Sequence, residues 1–191
     1  MDASIKLPNG NQFRIVADTC MLNPRTEYDP LCTMVLEHRR YTVAKEYKFH
    51  LCEYNTADEA ERALIKEVGP CIISHVYMYD HGNVVLSMNE FSDRWDSGLL
   101  GFIFCTKEQL RKEYGWKRIT KERQEKVFGY MKTEVREYSD YLSGNGYGYV
   151  IEDETGEQII EAYGFYGDDF KNNGLLADLP DDIRPFVESA L

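Results

Sequence analysis

The run Leu99-Leu100-Gly101-Phe102-Ile103-Phe104-Cys105-Thr106-Lys107-Glu108-Gln109-Leu110 decides the fold class, because a strand passes straight into a helix within it. Leu99 to Cys105 is almost wholly apolar, which suits a central strand covered on both faces. Thr106 ends that strand. It stands three residues before Gln109, the spacing at which a threonine hydroxyl and a glutamine side chain reciprocally cap a first helical turn. The helix is expected to run through Tyr114, where Gly115 supplies a left-handed end.

Downstream, Lys121 to Leu142 places Val127, Met131, Val135, Tyr138 and Leu142 on one stripe, predicting a long amphipathic helix over about 120–142 that Ser143-Gly144 closes. Upstream, Cys71 to Tyr79 and Val84 to Met88 are β-rich and flank Asp80-His81-Gly82-Asn83, the composition of a tight turn. Thr56-Ala57-Asp58-Glu59 repeats the capping spacing, with Ala60, Leu64 and Val68 following at intervals of four until Gly69-Pro70.

At the N-terminus, Ile5 and Leu7 alternate with Phe13 and Ile15 about Asn9-Gly10, a strong hairpin signal. A loop rich in turn formers covers residues 19–31, and Cys32 to Leu36 reads as a further strand. At the other end, Tyr147–Ile151 and Gln158–Tyr163 flank Asp153-Glu154-Thr155-Gly156 as a third hairpin, followed by short helices near Asp168–Asn172 and Asp182–Ala190. The class is α+β: a mainly antiparallel sheet built from hairpins, with the long helix packed on it. No repeat or low-complexity linker divides the chain. It is therefore read as a single domain over 1–191, with 147–191 as an acidic C-terminal hairpin and short helices.

Fourteen Tyr and nine Phe in 191 residues supply the aromatic surface that disordered acidic chains lack. Of the net charge of −11, most resides in residues 146–191, where eleven acidic side chains face only Lys171 and Arg184. Such a field repels nucleic-acid backbone and anionic membrane, and attracts the basic surfaces with which proteins hold DNA or RNA. No apolar run approaches the roughly 20 residues of a membrane span, and Met1-Asp2-Ala3-Ser4 does not open a basic-then-apolar leader, so a cytoplasmic protein is expected.

Five cysteines, an odd number with no Cys-x-x-Cys pair, point to free thiols, Cys71 and Cys105 as buried hydrophobes among them. His38, His50, His75 and His81 match no zinc spacing, so neither a metal nor another cofactor is expected. A nucleophile drawn from Cys105 or Ser97, with His75 or His81 as base and Asp80, Asp93 or Asp96 behind it, competes with a simpler reading of Ser92–Gly98 as a turn. Gly144, Gly146 and Gly148 follow a helix and enter a strand, the reverse of a phosphate-binding loop. The bases from Lys107 to Lys126 are interrupted by Glu108, Glu113, Glu122 and Glu125 and read as a solvated helical surface.

The candidate partner-binding residues lie in the acidic, aromatic segment after the long helix. Tyr147, Tyr149 and Tyr166 are the expected anchors, and Glu152, Asp153, Glu154, Asp168 and Asp169 the carboxylates that meet a basic partner. The competing reading is a core hairpin whose acidic rim serves solubility.

Trp95-Asp96-Ser97-Gly98-Leu99-Leu100-Gly101-Phe102-Ile103-Phe104, followed by Arg111-Lys112-Glu113-Tyr114-Gly115-Trp116-Lys117-Arg118, resembles a group of proteins encoded by bacteriophages and mobile elements. Asn23-Pro24-Arg25, Met34 to Tyr41 and Tyr163-Gly164-Phe165-Tyr166-Gly167 are similar to the same group, so the likeness runs from about Asn23 to Asp168. It carries over no catalytic residue. It implies a phage source and a bacterial host cytoplasm, where small acidic proteins of anti-CRISPR and antirestriction character block a defence nuclease. The expectation is a noncatalytic inhibitor whose acidic surface occludes or mimics the nucleic-acid site, with no direct nucleic-acid or membrane partner. The alternatives are an enzyme or sponge for a signalling nucleotide, with Asp93–Gly98 and His75 or His81 lining a pocket, and a phage accessory protein with no anti-defence role.

Overall fold

The computed structural model describes residues 4–191; Met1 to Ala3, inspected above for a leader, lie outside the described residues. The first half of the chain forms β1 (Ser4–Lys6), β2 (Gln12–Ala17), β3 (Thr33–Leu36), α1 (Ala57–Val68), β4 (Cys71–Asp80), β5 (Val84–Ser87) and β6 (Ser97–Thr106). It continues with α2 (Lys107–Tyr114), α3 (Lys121–Leu142), β7 (Gly146–Glu152), β8 (Gln158–Tyr166), α4 (Leu175–Asp178) and α5 (Arg184–Ala190). The fold is α+β with wholly antiparallel pairing, and the strands divide into two four-stranded sheets, β1-β2-β7-β8 and β3-β6-β4-β5. Two compact units follow this division: one joins residues 4–23 to 140–191, and the other is the continuous stretch 24–139.

In the discontinuous unit, register puts Phe13 opposite Ile151, Ile15 opposite Tyr149 and Ala17 opposite Tyr147, with Ile160, Ala162 and Phe165 next in line on β8. One sheet face thereby collects the apolar side chains. Phe13 stacks on Tyr149 at 5.7 Å and Tyr149 on Phe165 at 6.0 Å, while Leu175, Leu176, Leu179, Ile183 and Val187 close over them. The helix expected near Asp168–Asn172 is a turn instead: the Asp169 carbonyl accepts the N–H groups of Asn172 and Asn173, and the Asp169 carboxylate accepts from the Asn172 side chain. Such local side-chain bonds compete with helix. The helical turn comes later, at α4, after the left-handed Gly174.

In the continuous unit, side-chain parity sorts the sheet into two covered faces. Val35, Phe102 and Phe104 meet Ala60 and Leu64 of α1. Residues of opposite parity on the same strands, Met34, Leu36, Ile103 and Cys105, are equally buried, as is the α3 stripe Val127, Met131, Val135 and Tyr138. Hydrogen bonds tie α3 to both edges of this sheet: Glu134 Oε1 accepts the N–H groups of Leu31 and Cys32 at the entry to β3, and Ser139 Oγ accepts the N–H of Leu86 on β5 at 2.8 Å. The reciprocal Thr106–Gln109 cap is present on α2, and Gly115 ends it in the left-handed region at φ 65°.

A buried cation locks the loop before β3. Arg25, its side chain 2% exposed, donates to both Glu46 oxygens at 2.6 and 2.7 Å, to Glu134 at 2.7 Å and to the Cys32 carbonyl at 2.6 Å. Burial alone would lower its pKa, but hydrogen bonding and charge from Glu46 and Glu134 outweigh that and hold it above its ordinary value. Both carboxylates also serve the backbone, Glu46 accepting from Met34 N–H at 2.8 Å.

One irregularity shapes the end of this sheet. Val76 pairs with Gly101 but Tyr77 pairs with Leu99, so Leu100 is an extra residue in β6. A bulge bends the strand there. Gly101 lies so close to β3 that a Cβ on it would overlap the Val35 carbonyl oxygen.

Candidate functional site

The five tail carboxylates proposed as one site fall into two groups. Glu152, Asp153 and Glu154 sit at the β7–β8 turn, whereas Asp168 and Asp169 follow the far end of β8. Nine residues of strand separate them, roughly 26 Å at strand rise. They do not form one phosphate-like patch. Glu152 is taken up by an ion pair with Arg14, and Asp153 accepts from Thr155 Oγ1 at 2.6 Å and from the N–H groups of Thr155 and Glu157 at 2.8 and 3.0 Å. Those bonds, that of the Thr155 hydroxyl first, pull the Asp153 carboxyl below the usual range.

Two of the three tyrosine anchors are core residues, which corrects the expectation for them. Tyr149 is buried between Phe13 and Phe165 and donates to Asp178 at 2.9 Å; Tyr166 is buried and donates to the Leu22 carbonyl at 2.7 Å. Tyr147 is half-buried, edge-on to Phe170 at 5.0 Å. Strand alternation explains this, since Tyr147 and Tyr149 share the covered face.

What the hairpin does expose lies along edge strand β8. Ile159, Ile160 and Tyr163 are 49%, 38% and 49% exposed, beside exposed Glu157, Gln158 and Glu161. Ile159 escapes the parity rule because Ile151 pairs with Ile160 and Glu152 with Gln158, leaving it as an extra residue. A break in strict alternation at Gln158-Ile159-Ile160 is the only trace of this in the sequence.

A second concave region occupies one end of the β3-β6-β4-β5 sheet, around the bulge. Two adjoining hollows of about 520 and 290 Å³ share His38, Leu99 and Leu100 as their common wall. The larger has Leu51, Ala60 and Leu100 among its apolar lining and Arg39 and Asn55 at its rim; the smaller is bounded by Arg40, Asp80, Trp95, Asp96 and Gly98. Trp95 is 96% exposed, on a turn whose backbone is fixed by Asp93: its Oδ1 accepts Trp95 N–H at 2.8 Å and its carbonyl accepts the Ser97 hydroxyl. The turn expected at Ser92–Gly98 ends by residue 96, Ser97 and Gly98 already belonging to β6, and it borders this concavity.

The opposing wall is equally fixed. His38 stacks on Tyr41 at 4.9 Å, and its Nδ1 accepts the N–H groups of Arg40 and Tyr41, each at 3.2 Å, leaving Nε2 as the ring's donor. Asp80 accepts from Arg40 at 2.9 Å and from the Tyr41 hydroxyl at 3.0 Å, which raises the Tyr41 phenol above its ordinary range. His81 pairs with Asp96 at 2.9 Å. Of the two histidines expected beside the Asp93–Gly98 loop, His75 stands elsewhere, held by Glu61 at 2.8 Å and Tyr77 at 3.1 Å. His38 and Arg40 take that place. Nothing in their spacing to Trp95 signals the encounter, which the β3–β6 pairing produces.

No nucleophilic triad assembles from the residues considered for one. Cys105 is buried, its thiol next to that of Cys32, and hydrogen bonding to Cys105 together with burial drives the Cys32 thiol far above its ordinary range. Ser97 is spent on its turn. Among the described residues no group of three or more His, Cys, Asp or Glu side chains is placed to hold a metal ion, and no helix is long and apolar enough to cross a membrane. Gly146 and Gly148 are packing glycines in β7, their Cβ positions already filled by Met21 and Tyr163. The basic stretch is a solvated surface with Arg123 over Trp116 at 5.0 Å and Lys126 over Tyr114 and Tyr130 at 5.6 and 5.7 Å. Comparison with protein-family models, curated proteins and solved structures finds no match.

Proposed function

We propose that the chain is a noncatalytic inhibitor of the anti-CRISPR or antirestriction type. It acts in a host bacterial cytoplasm by laying its acidic hairpin on the basic nucleic-acid-binding surface of a defence nuclease. One observation carries the reading: Glu152 to Glu161 holds five carboxylates and no Lys or Arg, on an edge strand with apolar side chains exposed. Glu154, Glu157 and Glu161 are exposed and have no ion-pair partner among the described residues. Carboxylates of this kind take the Arg and Lys contacts meant for phosphate, while Ile159, Ile160 and Tyr163 supply the apolar contact area that charge alone lacks. The open edge of β8 adds a row of backbone groups for an extended partner segment. The contacts are therefore Glu154, Glu157, Glu161, Ile159, Ile160 and Tyr163 rather than the buried tyrosines.

The test is capture of a nuclease from host lysate followed by competition with its own DNA or RNA. Support requires mutually exclusive binding, and a Glu154→Lys/Glu157→Lys/Glu161→Lys variant that binds at least about tenfold more weakly at low salt with a flatter salt dependence. A captured enzyme that holds nucleic acid and this chain together, or a triple variant with unchanged affinity at low and high salt, overturns it.

A further inference from the structure

The run Trp95-Asp96-Ser97-Gly98-Leu99-Leu100-Gly101, singled out in the sequence, takes no part in the hairpin surface, yet nearly all of it builds the trough. Trp95, Asp96, Ser97, Gly98, Leu99 and Leu100 line it, and Gly101 permits the bulge by letting β6 press against Val35. We propose that this trough binds a nucleoside monophosphate, with the base in the smaller hollow and the phosphate at Arg39 and His38.

Three independent features point to that chemistry. First, Trp95 offers an almost wholly free indole face on a turn pinned by Asp93, the arrangement on which a planar base stacks without sequence preference. Second, Asp80 and Asp96 flank the same hollow; each has one oxygen engaged, by Arg40 and Tyr41 or by His81, and its other oxygen without a partner among the described residues. Carboxylate oxygens accept the ring and exocyclic N–H donors of a purine. Third, the larger hollow carries a cation on its wall, Arg39, while the acid that lines it, Glu37, is taken up by Lys45 at 3.4 Å and by the Cys52 N–H at 3.1 Å. Arg39 has no partner among the described residues, and the His38 Nε2 donor is held in place by the two bonds to Nδ1. Unengaged carboxylate oxygens of Asp80 and Asp96 thus lie beside the indole, and the donors of Arg39 and His38 Nε2 lie beside the larger hollow, the order that a base joined to a phosphate requires. The hollows of about 290 and 520 Å³ are in the range of small-ligand sites.

The experiment uses the full chain carrying Trp116→Phe, so that Trp95 is the sole indole, and follows its emission during titration with GMP, AMP, guanosine and inorganic phosphate. Saturable quenching by GMP or AMP is expected, with guanosine and phosphate each weaker by about tenfold or more. Arg39→Ala should weaken nucleotide binding about tenfold. Gly98→Leu should abolish it while leaving thermal stability intact, because Gly98 lines the smaller hollow and a Cβ on it meets nothing within 4 Å. Calorimetry on Trp95→Ala should show the same loss. The proposal is overturned by no saturable response to either nucleotide up to about 5 mM, by equal binding of guanosine and GMP, or by undiminished binding in Gly98→Leu. Binding of a single-stranded oligonucleotide without binding of GMP or AMP overturns it too. None of these outcomes bears on the hairpin surface, which the nuclease competition tests separately.

Discussion

Replacing Arg25 by Met tests how much of the continuous unit hangs on one buried cation. The substitution removes four short donor contacts, at 2.6–2.7 Å, and leaves Glu46 and Glu134 facing each other without the charge between them. Breaking a buried pair from one side costs about 3–5 kcal/mol, because the surviving charge stays desolvated. For residues 24–139, an unfolding entropy of about 2.1 cal/mol/K per residue amounts to roughly 0.24 kcal/mol/K, so the melting temperature should fall by roughly 12–20 °C. Replacing all three charged residues by apolar ones often restores stability elsewhere, but here it should not. Glu134 and Glu46 also accept the N–H groups of Leu31, Cys32 and Met34 at 2.8–3.1 Å, and three orphaned amides would cost about 1–3 kcal/mol each. Urea unfolding gives the global loss, and amide exchange at Leu31, Cys32 and Met34 localises it. A loss below about 1 kcal/mol, the value of an exposed pair, or unchanged exchange at those three amides, would refute the reasoning.

Three further outcomes follow from individual contacts. Gly101→Ala drives a methyl into the Val35 carbonyl and should destabilise by about 1–3 kcal/mol, read by urea unfolding. Thr106→Ala removes the α2 capping box and should cost about 1 kcal/mol by the same measurement. Burial, and then the hydrogen bond to Asp178, push the Tyr149 phenol up to about 12. Its contribution to stability is complete below the ordinary phenol value of about 10 and is lost as pH rises from there through about 12. Ultraviolet titration should show Tyr149 among the late-ionising tyrosines, with Tyr114, and Asp178→Asn should move one tyrosine step earlier.

Much of the fold was legible because its signals are local. The Thr106–Gln109 cap, the Gly115 stop, the Asn9-Gly10 turn and the α3 stripe each need only neighbouring residues. The division into two sheets was not, since β2 pairs with β7 while β3 pairs with β6 and no short-range pattern selects those partners. The candidate site shows the same limit. Tyr147 and Tyr149 were read as surface anchors from composition, but alternation on β7 turns them inward, and the bulge at Ile159 turns an isoleucine outward. Net charge counted along the tail did not reveal that β8 would hold its two acidic ends apart. The trough needed His38 and Trp95, 57 positions apart in sequence, to meet.

The sheet that joins β1 and β2 to β7 and β8 imposes an order on biosynthesis. Arg14 waits for Glu152, 138 residues later, so β1 and β2 leave the ribosome long before β7 exists to pair with them. Residues 24–139 have all their own strands in hand by then. During that interval Phe13 and Ile15 have no covering strand, and a nascent chain halted before β7 displays them to chaperones and proteases. Translation must pass β8 before the acidic hairpin has a sheet to belong to.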